Sequence, residues 1–244
     1  MSAKNKNVEA VYPLSPLQQG LLFHTLYAPQ SGVYIAQMIC ALHGDLNVAA
    51  FKQVWQQVVD RHTVLRTAFV WEGLEEPLQV VGRKVRLPLA EEDWRSLPSS
   101  EQQRRLEEHL QQDRSRGFKL SKAPLMRLAL IRLAEDVYQF VWSHHQLLLD
   151  GWSTPILLKE LFSLYAASGQ SRSPSLEAGR PYQDYISWLH RQDMSRAEDF
   201  WRQHLKGFDA PTPLGAEGRQ SARMASDEGY DRQHIDCRKK PRPP

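Results

Sequence analysis

Two cysteines in 244 residues, Cys40 and Cys237, are too few and too far apart for a disulfide framework or a metal-ligand spacing. Long apolar runs are also missing. A stretch such as Leu128 to Ile131 is bounded by Arg127 and Arg132, far short of the roughly 20 residues that cross a bilayer. The first residues carry positive charge with no apolar segment behind it, so they do not read as a secretory leader. A formal charge of +3 is too small to point to nucleic acid. These absences lead to the expectation of a cytoplasmic protein with neither a membrane nor a nucleic-acid partner. What is present is ordinary: 41% hydrophobic and 24% charged residues, in a chain long enough to bury a sizeable core.

The elements can be read in order. Ser15 followed by Pro16 is a helix start, a capping hydroxyl with proline at the first helical position; Leu17, Leu21 and His24 then share a face. Val33 to Leu42 reads as a strand. Asn47 introduces the clearest helix, with Phe51, Val54, Trp55, Val58 and Val59 at helical spacing. Ala68 to Trp71 and Leu78 to Val81 are short strands joined through Glu72-Gly73. Ser99 to Arg116 is a charged surface helix anchored by Leu106 and Leu110. Leu125 to Leu133 and Val137 to Ser143 form a hairpin across Ala134-Glu135-Asp136. Ser153 caps a helix carrying Ile156, Leu157, Leu161 and Leu164. A Ser/Gly/Pro-rich loop over 168–180 precedes helices near Tyr182 to Leu189 and Ala197 to Leu205. Strands mixed with helices, with part of the sheet built from a hairpin, give an α/β or α+β sandwich.

The polar chemistry collects where the second hairpin strand ends, in Trp142-Ser143-His144-His145-Gln146-Leu147-Leu148-Leu149-Asp150-Gly151-Trp152-Ser153. Two histidines, a carboxamide and an aspartate at a strand exit suit an acyl-transfer site. Taken alone, His144 and His145 read better as ordinary part-buried histidines than as site residues. Trp152, Tyr182, Tyr185 and Trp188 read as packing residues, and Cys40 as a buried, inert thiol.

Four stretches together resemble the condensation domains of nonribosomal peptide synthetases. They are Leu14-Ser15-Pro16-Leu17-Gln18-Gln19-Gly20, Arg61-His62-Thr63-Val64-Leu65-Arg66-Thr67, the His145 to Ser153 stretch, and Tyr182-Gln183-Asp184-Tyr185-Ile186-Ser187-Trp188. The resemblance implies a chloramphenicol acetyltransferase-like two-layer sandwich, a mixed sheet packed with helices, as one lobe of the usual two. It implies amide-bond formation between a carrier-tethered aminoacyl or peptidyl thioester and an aminoacyl acceptor. The implied partners are donor and acceptor peptidyl carrier proteins, adjacent synthetase modules and a second lobe. Substrates ride on the carriers' phosphopantetheine arms, and no cofactor is bound directly. A related epimerisation or acyltransferase domain and a non-catalytic carrier-docking module are the competing readings.

The family motif is His-His-x-x-x-Asp-Gly, and its second histidine is credited with catalysis. Counting back from Asp150-Gly151 across Leu147, Leu148 and Leu149 puts Gln146 at that position and His145 at the first. Either glutamine has replaced the histidine, or one residue is inserted and His145 still serves. An insertion would turn side chains at the strand edge to the wrong face, so the ungapped register favours substitution and impaired catalysis. Asp150 is implied to be structural, paired with Arg61 or Arg66, with Ser153 supporting the loop; the two arginines equally suit a cap on the preceding helix. Residues 1–10 are expected to be a disordered lead-in and 11–214 the N-terminal lobe. Nothing after Leu214 resembles a second lobe, so 215–244 is expected to be a truncated, poorly ordered tail, with the reading frame cut near Asp236.

Overall fold

A computed structural model describes residues 7–29, 31–168 and 176–210. The chain forms two compact units, Met1–Gln192 and Asp193–Pro244. The expected lobe over 11–214 spans that division; its end at 214 and the tail over 215–244 lie outside the described residues.

The first unit is built around β7 (Val137–His145). Its sequence, VYQFVWSHH, is buried almost without a break because it is an inner strand with both faces covered. It lies in a four-stranded sheet ordered β2 (Ile35–His43), β7, β6 (Met126–Ala134), β5 (Leu89–Asp93). The β2–β7 and β6–β7 pairs are antiparallel and β5–β6 is parallel, so the sheet is mixed as expected. Tyr138, Phe140 and Trp142 alternate onto one face and meet α2 (Val48–Arg61) and α4 (Ser153–Ser168). There Trp55 lies 5.1 Å from Trp142, and Phe51 meets Phe140 edge-on at 5.3 Å. On the other face Val141 and Ala129 pack under Leu110 of α3 (Ser99–Arg116). Burial of the large α2 side chains contributes about 1.5–3 kcal/mol each, which makes this helix the anchor of the sheet.

The second sheet is antiparallel, ordered β1 (Val8–Pro13), β4 (Leu78–Gly82), β3 (Thr67–Val70). Tyr12 and Val81 pack there with Ile186 of α5 (Tyr182–Leu189). The lead-in expected to be disordered over 1–10 is corrected at its end, because Val8–Ala10 belong to β1 and the Asn7 side chain brackets Lys84. β5 was not anticipated. LAEED is too polar to read as a strand, yet that polarity suits an edge exposed to solvent.

α1 (Pro16–Tyr27) starts with the expected cap and completes a full capping box between Ser15 and Gln18. Its inner face is not the expected Leu17, Leu21, His24 stripe. Leu17 is 74% exposed, while Gln18 and Leu22 are buried; tertiary hydrogen bonds to Gln18 override apolar preference. In the second unit, α6 (Met194–His204) is capped by Asp193, and its Trp201 and Phe200 are exposed.

Candidate functional site

The ladder carries β7 through His144, paired with Ala36 and Met126, to His145, paired with Ile35. Strand alternation sends these two rings to opposite faces. His144 lies 5.0 Å from the Trp142 ring, and His145 faces Phe118 at 6.5 Å. Both are buried. The next residue, Gln146, donates its backbone N–H to the Tyr34 carbonyl at 2.8 Å, and its side chain is exposed. Leu147, Leu148 and Leu149 then turn back into the main core.

Every ring nitrogen of His145 is engaged. Nδ1 accepts the Leu147 N–H at 3.1 Å, and Nε2 lies 3.3 Å from the Thr25 hydroxyl oxygen. Burial, with the neighbouring His144, pushes the His145 pKa down to about 4, and burial alone does the same to His144. His144 Nδ1 is buried with no hydrogen-bond partner among the described residues. The two histidines are therefore neutral rings inside the protein near pH 7.

Asp150 sits at the head of α4. Its Oδ1 accepts from the Ser153 backbone N–H at 2.8 Å and from the Ser153 hydroxyl at 2.6 Å, and these bonds hold its pKa below the usual carboxylate value. The expected arginine pairing is corrected. Arg61 and His62 share the Glu160 carboxylate, and Arg66 meets Glu9 and the carbonyl of Gly82. An exposed aspartate with orphan helix N–H groups beside it is satisfied locally and needs no guanidinium. The cap assigned to Ser153 thus falls to Asp150, with Ser153 as donor. Arg61 lies in the last turn of α2, and its guanidinium bonds Glu160 and the Glu177 carbonyl.

A Cβ at Gly151 would meet nothing within 4 Å, so no steric demand for glycine shows at that position. Trp152 is 86% exposed and does not pack as expected. On α5 the buried residue is Ile186, while Tyr185 and Trp188 stack at 5.9 Å on an exposed edge. Cys40 is half-buried. Among the described residues no cluster of His, Cys, Asp and Glu could hold a metal, and no helix is long and apolar enough to cross a membrane.

The sequence reading missed Thr25, which contacts His145, and Gln79, which pairs with Gln18. Gln18 was visible only as part of a motif, although the Ser-x-x-Gln spacing of a capping box could have marked it. Gln79 gave a weak signal as a lone carboxamide in an apolar strand.

Comparison with known proteins gives a consistent result. The condensation-domain family profile matches residues 8–240. A linear gramicidin synthase polypeptide of Brevibacillus parabrevis is 46% identical over 95% of this chain, which spans 3% of that protein. Bacitracin synthase 1 of Bacillus licheniformis is 37% identical over 87% of this chain, or 4% of its own length. The crystal structure of the starter condensation domain of rhizomide synthetase superposes with a TM-score of 0.73 at 19% identity. That match covers 83% of this chain and 50% of that one. It bears out the expected chloramphenicol acetyltransferase-like fold.

Proposed function

The chain belongs to the condensation-domain family, and from that premise we propose that it supplies the N-terminal lobe of an amide-forming site in nonribosomal peptide synthesis. The acceptor amine adds to the carbonyl carbon of the donor thioester. The C–N bond forms and the C–S bond breaks. The donor's phosphopantetheine thiol leaves with the proton the amine gives up. Both substrates are tethered to carrier proteins, so the lobe binds no cofactor itself, and its partners are the two carriers, the adjacent modules and a second lobe.

One observation carries the reading of the site. Gln146 presents its carboxamide outward from the end of β7, while His145 is buried with both ring nitrogens engaged. A group that serves a substrate must reach it, which favours position 146 and supports substitution over insertion. Glutamine donates and accepts hydrogen bonds but takes up no proton near neutral pH. The site as it stands orients substrate and lacks an acid–base contribution of about 10²- to 10⁴-fold.

The test is Gln146→His with two loaded carriers and the second lobe supplied as a separate chain. Dipeptide formation should rise at least about 10²-fold over the parent. Unchanged turnover with carrier binding retained would replace this reading with that of a docking module.

A further inference from the structure

A helix and a strand share a buried pair of carboxamides separated by 61 positions in sequence. Gln18 of α1 is 5% exposed and Gln79 of β4 is 0% exposed. They pair reciprocally, Gln18 Nε2 donating to Gln79 Oε1 at 3.1 Å and Gln79 Nε2 to Gln18 Oε1 at 3.0 Å. A carboxamide offers two donor hydrogens and two acceptor lone pairs. Gln18 fills all four, because its Oε1 also accepts from the Ser15 N–H at 3.0 Å and its Nε2 also donates to the Leu147 carbonyl at 3.1 Å. Gln79 Nε2 spends its remaining hydrogen on the Pro13 carbonyl at 3.0 Å. With so many places taken, only one orientation of each amide satisfies the set. Turning Gln79 over would set nitrogen against nitrogen and release Gln18.

The Leu147 carbonyl is one residue beyond Gln146, and the backbone around that residue is held on every side. Tyr34 accepts the Gln146 N–H, His145 Nδ1 accepts the Leu147 N–H, and the His145 carbonyl accepts the Leu148 N–H at 3.0 Å. The Gln18 bond ties the Leu147 carbonyl to α1. Seven residues further along the same helix face, Thr25 contacts His145. The inner face of α1 therefore grips the end of β7 at two points, and Gln79 fixes the first of them.

We infer that Gln79, outside all four motif stretches, is a positioning residue. Through Gln18 it fixes the Leu147 carbonyl, and so the direction in which the side chain of residue 146 leaves the strand. The inference rests on the reading of position 146 as the substrate-facing one.

The test uses the full chain carrying Gln79→Met, which keeps the length and removes the hydrogen bonds. Residue-resolved amide exchange should quicken about tenfold at Gln146, Leu147 and Leu148, relative to the ladder amides of Phe140 and Trp142. Gln18→Met should do the same, and the double variant should add little to it. Equal acceleration at every amide, or none at 146–148, overturns the inference. If Gln79→Met loses its cooperative melt, Gln79→Asn, which draws the amide back by one methylene, is read in the same way. A second arm places Gln79→Met in the Gln146→His background with loaded carriers, where kcat should fall about tenfold at unchanged KM. Faster local exchange with unchanged turnover removes the assignment of position 146 and leaves the brace standing. Slower turnover with unchanged local exchange overturns the brace. If Gln146→His forms no dipeptide, the exchange arm alone decides.

Discussion

The Nε2 of His145 lies 3.3 Å from the hydroxyl oxygen of Thr25, and that hydroxyl donates its own hydrogen to the Leu21 carbonyl at 2.7 Å. The oxygen is left with lone pairs only, so the hydrogen between the two groups belongs to the histidine. Nδ1, which accepts from Leu147, is then the unprotonated nitrogen. This fixes the tautomer of a neutral ring. Thr25→Val removes the acceptor. Because Nδ1 still accepts from Leu147, nitrogen chemical shifts of His145 should keep the Nε2–H tautomer while its Nε2 proton loses the hydrogen-bonded shift, and an Nδ1–H pattern in either protein would refute the assignment.

The same burial makes stability depend on pH. His144 and His145 have pKa values pushed down to about 4, from 6.5 for a solvated histidine. Between those values the unfolded chain holds protons that the folded chain excludes, so stability rises with pH there. The contribution is fully present above about pH 6.5 and is lost as the pH falls toward 4. With both rings neutral in the fold, the slope reaches about 2.7 kcal/mol per pH unit in mid-window. Urea denaturation at pH 5 and pH 7 checks this, and replacing both histidines with glutamine should flatten the difference. A steep slope that survives the double replacement would assign it to other groups.

Gln146→His places a third imidazole beside these two in a different setting. The side chain at 146 is exposed, and its immediate neighbour His145 is neutral. Its pKa should fall within about one unit of the ordinary 6.5, while His144 and His145 stay unprotonated through the same range. Proton NMR titration separates the three. A midpoint near that of the buried pair would mean that residue 146 folds inward.

Arg66 is a buried charge in the short turn that leads into β3. Its guanidinium meets Glu9 at 2.6 Å and the carbonyl of Gly82, tying the start of β1 to the end of β4. Arg66→Met should cost about 3 kcal/mol, the low end for breaking a buried pair, because Glu9 keeps some access to water. Glu9→Gln should cost clearly less, since the carbonyl bonds to Arg66 persist. Equal losses in urea melts would show that the charge pair, and not the carbonyl clamp, carries the effect.

Where pattern dominated, the sequence was a good guide to the fold. Phe51, Val54, Trp55, Val58 and Val59 announced α2, and the hairpin was visible as two apolar runs around Ala134-Glu135-Asp136. β5 and the inner face of α1 were hidden because both depend on partners distant in sequence. LAEED becomes a strand only beside β6, and Gln18 turns inward only because Gln79 and Leu147 meet it there. At the site, counting residues found the exposed position at 146 but not the bonding of its neighbours. The family resemblance implied an ion pair for Asp150, and a helix end three residues away satisfied it instead.

That last difference can be measured. Asp150 accepts from both the N–H and the hydroxyl of Ser153, so it acts as the cap of α4. Asp150→Ala should cost about 1–2 kcal/mol in a urea melt and loosen the first turn of α4. Asp150→Asn keeps a side-chain acceptor and loses only the attraction of a negative charge to the helix N-terminus, about 0.3–1 kcal/mol. Were Asp150 paired with an arginine, Asn would be nearly as damaging as Ala, and removing the arginine would mask the loss. Double-mutant cycles of Asp150→Ala with Arg61→Met and with Arg66→Met separate the two cases. Independent sites add within about 0.5 kcal/mol, and that additivity is the expected result, because Arg61 is held by Glu160 and Arg66 by Glu9. A coupling well above that in either cycle would restore the ion pair and remove the cap as the main role of Asp150.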